Sequence, residues 1–330
     1  VVKACLLRDG SHLVLCVDAP ALELGEEERE GEGTPYAYSV KITESGQILT
    51  ERLADPPVDA FEERHQPVII EDKAYIFGGA SPHGELYIYD TVLDEWETRE
   101  YIAPPRDDPE FDYSGYEYEN GGFKYEGLYT WQLPFSGRDY ALCVGLGGKL
   151  LVIGGGDQAC NPMVGALSIY DPETETWRVG DPSPSDCDDT TPCAVVGDTL
   201  YVNMGTEYAA SFSFSGQGDM KGEWRSMNGP CIPYDEEGGY NNGVAQVFER
   251  LIVTTYATRV AVYDTVSGET SVHLGSVSGF EPKENLLLNQ LASGTGRSLL
   301  LSYVEYDSSP QSSHVCTVEP GLVYPDTDML

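Results

Sequence analysis

Two stretches decide the fold: Lys73-AYIFGG, continuing after a short connection as LYIYDTVLDE to Trp96, and Lys149-LLVIGG, continuing as LSIYDPETET to Trp177. In each, a short apolar run ends in a glycine pair, Gly78-Gly79 or Gly154-Gly155. A second run ends in Tyr-Asp, Tyr89-Asp90 or Tyr170-Asp171, and tryptophan follows the aspartate by six positions. Runs this short, rich in aromatic and β-branched residues and punctuated by glycine, read as strands. The segment from Thr91 to Glu95, and from Pro172 to Thr176, supplies the Asp, Pro and Thr that tight turns use, so each copy reads as a hairpin following an apolar strand. Internal repetition of this kind is the mark of a repeat architecture.

Weaker copies extend the pattern in both directions at a spacing near the roughly 50 residues of one propeller blade. Thr199-LYVNMG with Trp224 has lost its Tyr-Asp, and Arg250-LIVTTY with Tyr263-Asp264 carries Thr270 where tryptophan should stand. His12-LVLCV followed by Ala37-YSVKIT and Gln47-ILTERL reads as a first blade without the glycines. Ser298-LLLSYVEY with His314-VCTVE reads as a last one.

The glycine-pair, tyrosine and tryptophan pattern resembles the kelch repeat, closely in two copies and loosely in four. The resemblance implies an all-β fold: a six-bladed kelch-type β-propeller with four antiparallel strands per blade, in which one sheet's apolar faces are covered by its neighbours. The expected organisation is one domain over residues 1–330, with blades near 1–57, 58–106, 136–184, 185–233, 234–281 and 282–330 and an insertion at 107–135. The glycines would let the second strand pass close to its neighbours, and Tyr and Trp would pack between blades.

Strands that alternate in direction send the loop between strands two and three, and the loop to the next blade, to one face. Two-residue turns such as Gly197-Asp198 mark the other. Both long excursions fall on the loop-bearing face, and long loops are usually functional or disordered. Residues 23–33, LGEEEREGEG after Glu23, are acidic and of low complexity, the composition of a solvated loop. Residues 106–131 differ, because Phe111, Tyr113, Tyr116, Tyr118, Phe123, Tyr125, Tyr129 and Trp131 concentrate aromatic rings among Asp and Glu. Either these rings pack as an added hairpin turning at Asn120-Gly121-Gly122, or they present an aromatic, acidic surface to a partner rich in Lys and Arg. On the same face, His65, Arg138, Asp139, Asp188, Asp189, Tyr240, Asn241 and Asn242 lie just before the innermost strands, where the kelch resemblance implies peptide contacts. With Tyr113, Tyr116, Tyr118 and Tyr125 they form the candidate binding set.

A net charge of −36, from 55 acidic against 19 basic residues, repels phosphate and so argues against nucleic acid and anionic membrane as partners. A basic protein or peptide is the natural match; acidity kept for solubility or a saline habitat is the other reading. No apolar run approaches the roughly 20 residues that span a bilayer. Val1 to Leu15 lacks the pattern of a signal peptide, so the chain reads as an excised domain or a processed product. The eight cysteines are too irregular for a disulfide scaffold and form no C-x-x-C pair. Cys5 with Cys16, facing across a hairpin, and Cys187 with Cys193, close in one loop, are the pairs able to oxidise. Reduced thiols and the absence of any Asn-x-Ser/Thr acceptor lean towards the cytoplasm.

Chemistry finds little purchase in the sequence. Gly145-Leu-Gly147-Gly148-Lys149-Leu150 lacks the third glycine of a dinucleotide loop and leads into a strand, not a helix. No nucleophile elbow, zinc helix or calcium loop occurs, and the five histidines are scattered. His65 and His83, on the loop-bearing face near Asp139 or Asp188, keep a carboxylate–histidine site open. Kelch-like propellers include copper radical oxidases, sialic-acid mutarotases and iron-dependent specifier proteins, but no residue pattern here matches their sites. The reading is therefore a non-enzymatic protein-recognition module without metal or cofactor, and the kelch resemblance implies use as the substrate-reading part of an adaptor. An enzyme working at the channel mouth and a scaffold propeller are the alternatives.

Overall fold

In the computed structural model the described residues are 2–7, 9–17, 35–43, 45–57, 67–78, 85–100, 116–119, 122–125, 128–130, 140–155, 165–185, 187–189, 191–216, 221–227, 244–248, 250–256, 259–274, 286–293, 299–305 and 312–318. Every regular element among them is a strand. None is a helix long and apolar enough to cross a membrane. The chain divides into two compact units, Val1–Asp189 and Thr190–Leu330.

The first unit holds three four-stranded sheets. They are β1 (Val2–Leu6), β2 (His12–Val17), β3 (Pro35–Ile42) and β4 (Ile48–Arg52); β5 (Val68–Ile70), β6 (Lys73–Gly78), β7 (Glu85–Asp90) and β8 (Glu95–Glu100); and, after a smaller sheet, β12 (Leu142–Leu146), β13 (Lys149–Ile153), β14 (Leu167–Asp171) and β15 (Thr176–Gly180). The smaller sheet joins β9 (Tyr116–Glu119), β10 (Gly122–Tyr125) and β11 (Leu128–Thr130). The second unit holds two four-stranded sheets, β16 (Cys193–Val196) to β19 (Gly222–Ser226) through β17 (Thr199–Val202) and β18 (Ala210–Phe214), and β20 (Val244–Phe248) to β23 (Thr270–Leu274) through β21 (Leu251–Tyr256) and β22 (Arg259–Asp264). A three-stranded sheet of β24 (Leu286–Ser293), β25 (Leu299–Glu305) and β26 (Ser312–Val318) completes it. Each sheet is an antiparallel meander in chain order, the form of a propeller blade. Within the first unit β5 lies beside both β1 and β12, and within the second β20 lies beside both β16 and β24, so consecutive sheets meet through their first strands.

The repeat's residues explain this stacking. Tyr89 and Trp96 are register partners, as are Tyr170 and Trp177 and, in the weaker copy, Phe212 and Trp224. The first two pairs turn their rings towards the preceding sheet. Tyr89, Ala74 and Ile76 pack with Leu13, Leu15 and Ala37, while the Trp96 indole donates to the Ala54 carbonyl at 3.0 Å. Tyr170, Leu150 and Val152 pack with Tyr75, Phe77 and Ile70. The sheet edges are too narrow to bury both faces alone, and stacking supplies the cover.

The aspartate of the repeat organises the turn that follows it. The Asp90 carboxylate accepts hydrogen bonds from the Val92 and Leu93 amides at 3.0 Å, Asp171 from Glu173 at 3.0 Å, and Asp264 from Val266 at 2.9 Å. Its second oxygen meets a cation at the start of the second strand: Lys73 at 3.8 Å, Lys149 at 2.8 Å and Arg250 at 3.1 Å. Position four of the turn carries a positive φ at Asp94, Glu175 and Gly268.

In the third sheet the glycine pair admits a neighbouring backbone. A Cβ on Gly154, at φ +60°, would lie 1.9 Å from the Cys187 carbonyl oxygen, and the Gly155 amide donates to that same oxygen at 2.9 Å. The neighbour is thus the connection leading out of the sheet. The first hairpin corrects one expectation: its register sets Cys5 opposite Leu13 and Cys16 opposite Val2, so the two thiols do not face each other. None of Cys5, Cys16, Cys187 and Cys193 is joined in a disulfide.

Candidate functional site

The candidate surface is built where chain segments lead into the innermost strands. After β15 the chain folds back over the end of β13: Ser183 donates its amide to the Gly165 carbonyl at 2.7 Å, and Gly155 is held by Cys187. Within this connection Ser183, Ser185 and Cys187 are buried, with Ser183 Oγ 3.4 Å from Ser185 Oγ and 3.8 Å from Cys187 Sγ. The small side chains leave room for the close pass and satisfy one another's polar atoms. The connection ends by donating the Asp189 amide to the Tyr140 carbonyl at 2.7 Å.

Two of the expected contact residues, Asp188 and Asp189, therefore stand on a pinned segment, Asp188 exposed and Asp189 half-buried. They sit next to Tyr140, the residue that leads into β12 and follows Arg138-Asp139 directly. Tyr140 has a φ of +59°, a conformation a bulky aromatic residue adopts only when its surroundings impose it. Sequence reading missed Tyr140, because a left-handed aromatic leaves no compositional trace.

The aromatic insertion forms its own antiparallel sheet. Tyr116 is the register partner of Tyr125, and Tyr118 of Phe123, so these four positions share one face by strand alternation while Glu117 and Lys124 fall on the other. The hairpin expected around Asn120-Gly121-Gly122 is present, with Glu119 opposite Gly122, and β11 adds a third strand through Phe123 opposite Thr130. His65, Tyr113, Arg138, Asp139, Tyr240, Asn241 and Asn242 lie outside the described residues, as do residues 23–33 and His83. Among the described residues no group of three or more His, Cys, Asp or Glu side chains is arranged to hold a metal ion.

The junction between the second and third sheets holds a polar network centred on Arg99. Arg99 on β8 donates to both Glu97 carboxylate oxygens at 2.6 and 3.0 Å, to the Tyr170 hydroxyl at 2.8 Å and to Glu175 at 2.8 Å. The hydrogen bond from Arg99 holds the Glu97 carboxyl below its ordinary range, and burial pushes the Tyr170 hydroxyl up against the opposing pull of Arg99. Four of the five N–H donors of this guanidinium are directed at partners within the protein, which marks it as a clamp between sheets.

Comparison with known proteins agrees with the repeat. Residues 137–184 match the family model described as the Kelch motif, the span that contains β12 to β15. A solved structure titled "Structure of YjhT" superposes with a TM-score of 0.50 over 95% of this chain and 96% of that one, at 12% sequence identity, a likeness of fold. No curated protein matches the chain in sequence.

Proposed function

For a chain that carries the kelch repeat on stacked propeller-type sheets, we propose the role of a protein-recognition module that binds a Lys/Arg-rich peptide or protein without catalysing a reaction. The supporting observation is the insertion between the second and third sheets, where aromatic and acidic positions alternate along Tyr116-Glu117-Tyr118-Glu119 and the strand is paired into a sheet. Alternation at the strand period assigns the aromatic positions to one face and the charged positions to the other. The aromatic face suits a guanidinium or ammonium group, which gains from stacking on rings, while the carboxylates of the other face add to the field that attracts it. The excess of acidic residues over the whole chain adds long-range attraction that speeds encounter with a basic partner.

In this reading the chain forms six blades, and the partner lies on the face carrying the inter-blade loops. Asp188 and Asp189 sit on that face with the insertion, and the remaining expected contacts, His65, Tyr113, Arg138, Asp139, Tyr240, Asn241 and Asn242, complete it. Use as the substrate-reading part of a larger adaptor rests on analogy with other kelch-repeat proteins alone.

The test is capture of an immobilised Lys/Arg-rich peptide by the whole chain and by a chain lacking residues 106–131. The reading expects the deletion to lose most of the capture while melting as before, and capture by the whole chain to weaken steeply as salt rises. Unchanged capture by a deletion variant that still melts cooperatively would remove the insertion from the interface.

A further inference from the structure

The fifth sheet departs from the repeat at one position, and the departure leaves a space. In the third sheet Trp177, register partner of Tyr170, lies 5.0 Å from that ring and 5.2 Å from Phe77 of the preceding sheet. In the fifth sheet the register partner of Tyr263 is Thr270. The tyrosine pair of the junction recurs: Tyr201 faces Tyr263 at 5.6 Å as Tyr75 faces Tyr170 at 6.2 Å. Where the indole would stand there is a cavity of about 300 Å³, bounded by Met204, Ala209, Met227, Tyr263, Thr270 and Arg225. That volume reaches the lower end of the range for small-ligand sites, which is roughly 300–1,000 Å³.

Its lining is suited to a flat ring with one anionic end. Two methionine thioethers and the Tyr263 ring offer polarisable surface, on which sulfur and aromatic groups gain contact energy. Ser211 and Ser226 add hydroxyls. Among the described residues that line the cavity Arg225 alone is charged, and its guanidinium is held only loosely, 3.7 Å from Glu223, with both side chains exposed. A cation at the rim of the cavity offers a ligand carboxylate a local partner against the repulsion of the protein's overall negative charge.

We propose that the junction between the fourth and fifth sheets is a binding site for a small aromatic carboxylate of indole size, its ring seated where the repeat's tryptophan stands in the third sheet and its carboxylate directed at Arg225. This site is separate from the recognition surface proposed above and does not depend on it.

Ligand-detected NMR with indole-3-propionate and with uncharged indole tests the site on the whole chain. The expected result is saturable binding of indole-3-propionate, with a dissociation constant of roughly 10–1,000 μM for a ligand this small. T270W should refill the space, abolish binding of both probes and leave the melting temperature equal or higher. R225E, at an exposed position that does not threaten folding, should weaken indole-3-propionate about two- to fivefold, the range of an exposed ion pair, and leave indole unchanged. Absence of saturable binding to the unaltered chain overturns the proposal. So does undiminished binding to a folded T270W, or an R225E variant that binds indole-3-propionate as the parent does. If T270W does not fold, the charge-selective effect of R225E decides alone.

Discussion

The third and fifth sheets carry the same motif and use it differently. Both end their third strand in Tyr-Asp, and both pair the aspartate with a cation from the start of the second strand. Lys149 and Asp171 meet at 2.8 Å with 7% and 10% of their side chains exposed, whereas Arg250, 57% exposed, meets Asp264 at 3.1 Å. The third sheet keeps its tryptophan and the fifth has Thr270. One motif thus serves as a buried clamp in one place and as a solvated turn in another, because burial, not residue identity, decides what an ion pair is worth.

Breaking the buried clamp should have the largest effect. Lys149→Met leaves the Asp171 carboxylate buried without its cation and should cost about 3–5 kcal/mol in denaturant unfolding. The pH dependence has a definite sign. Burial by itself would raise the Asp171 pKa, but the Lys149 hydrogen bond and the Glu173 amide outweigh it and hold the carboxyl below its ordinary value. Its contribution is therefore complete above the ordinary carboxylate range and is lost as pH falls through the depressed value. In the variant burial acts unopposed by Lys149, so acid neutralises an unpaired charge. The gap between parent and variant should be widest near neutral pH and close as the pH falls through the carboxylate range; a constant gap would contradict the clamp.

Trp177→Ala comes next, at about 3 kcal/mol, since it opens at the second junction the space that Thr270 leaves at the fourth. Calorimetry of this variant measures what the missing indole costs a junction. A gain of about 1 kcal/mol is expected from Thr254→Val, because the Thr254 hydroxyl in β21 is fully buried and has no hydrogen-bond partner among the described residues. Arg250→Met, the surface counterpart of Lys149→Met, should change stability by less than about 1 kcal/mol. The smallest effect concerns Cys5, whose thiol is pushed up to about 12 by burial. It should resist alkylation at pH 8 in the folded chain and react once urea unfolds it.

Much of this was legible in the residues. Tyr-Asp followed by Trp at fixed spacing located the hairpins β7–β8 and β14–β15, since turn chemistry and strand alternation are local. The substitution of Thr270 for tryptophan was also visible, but its consequence was not, because a cavity depends on what the preceding sheet brings to the same place. The pairing of Lys149 with Asp171 was hidden for a similar reason: the two residues are far apart in the chain and meet only through the β13–β14 register. The expected contact of Cys5 with Cys16 failed because the hairpin register sets other residues opposite each of them. Tyr140 escaped notice altogether, its positive φ being imposed by the strand it leads into and by the hydrogen bond from Asp189.

The recognition reading is tested most directly by hydrogen exchange on the whole chain with and without a saturating Lys/Arg-rich peptide. The account predicts slower exchange at the amides of β9 to β11 and of the segment holding Asp188 and Asp189, reversed by high salt. Protection confined to other strands, or none at all under saturating peptide, would contradict it.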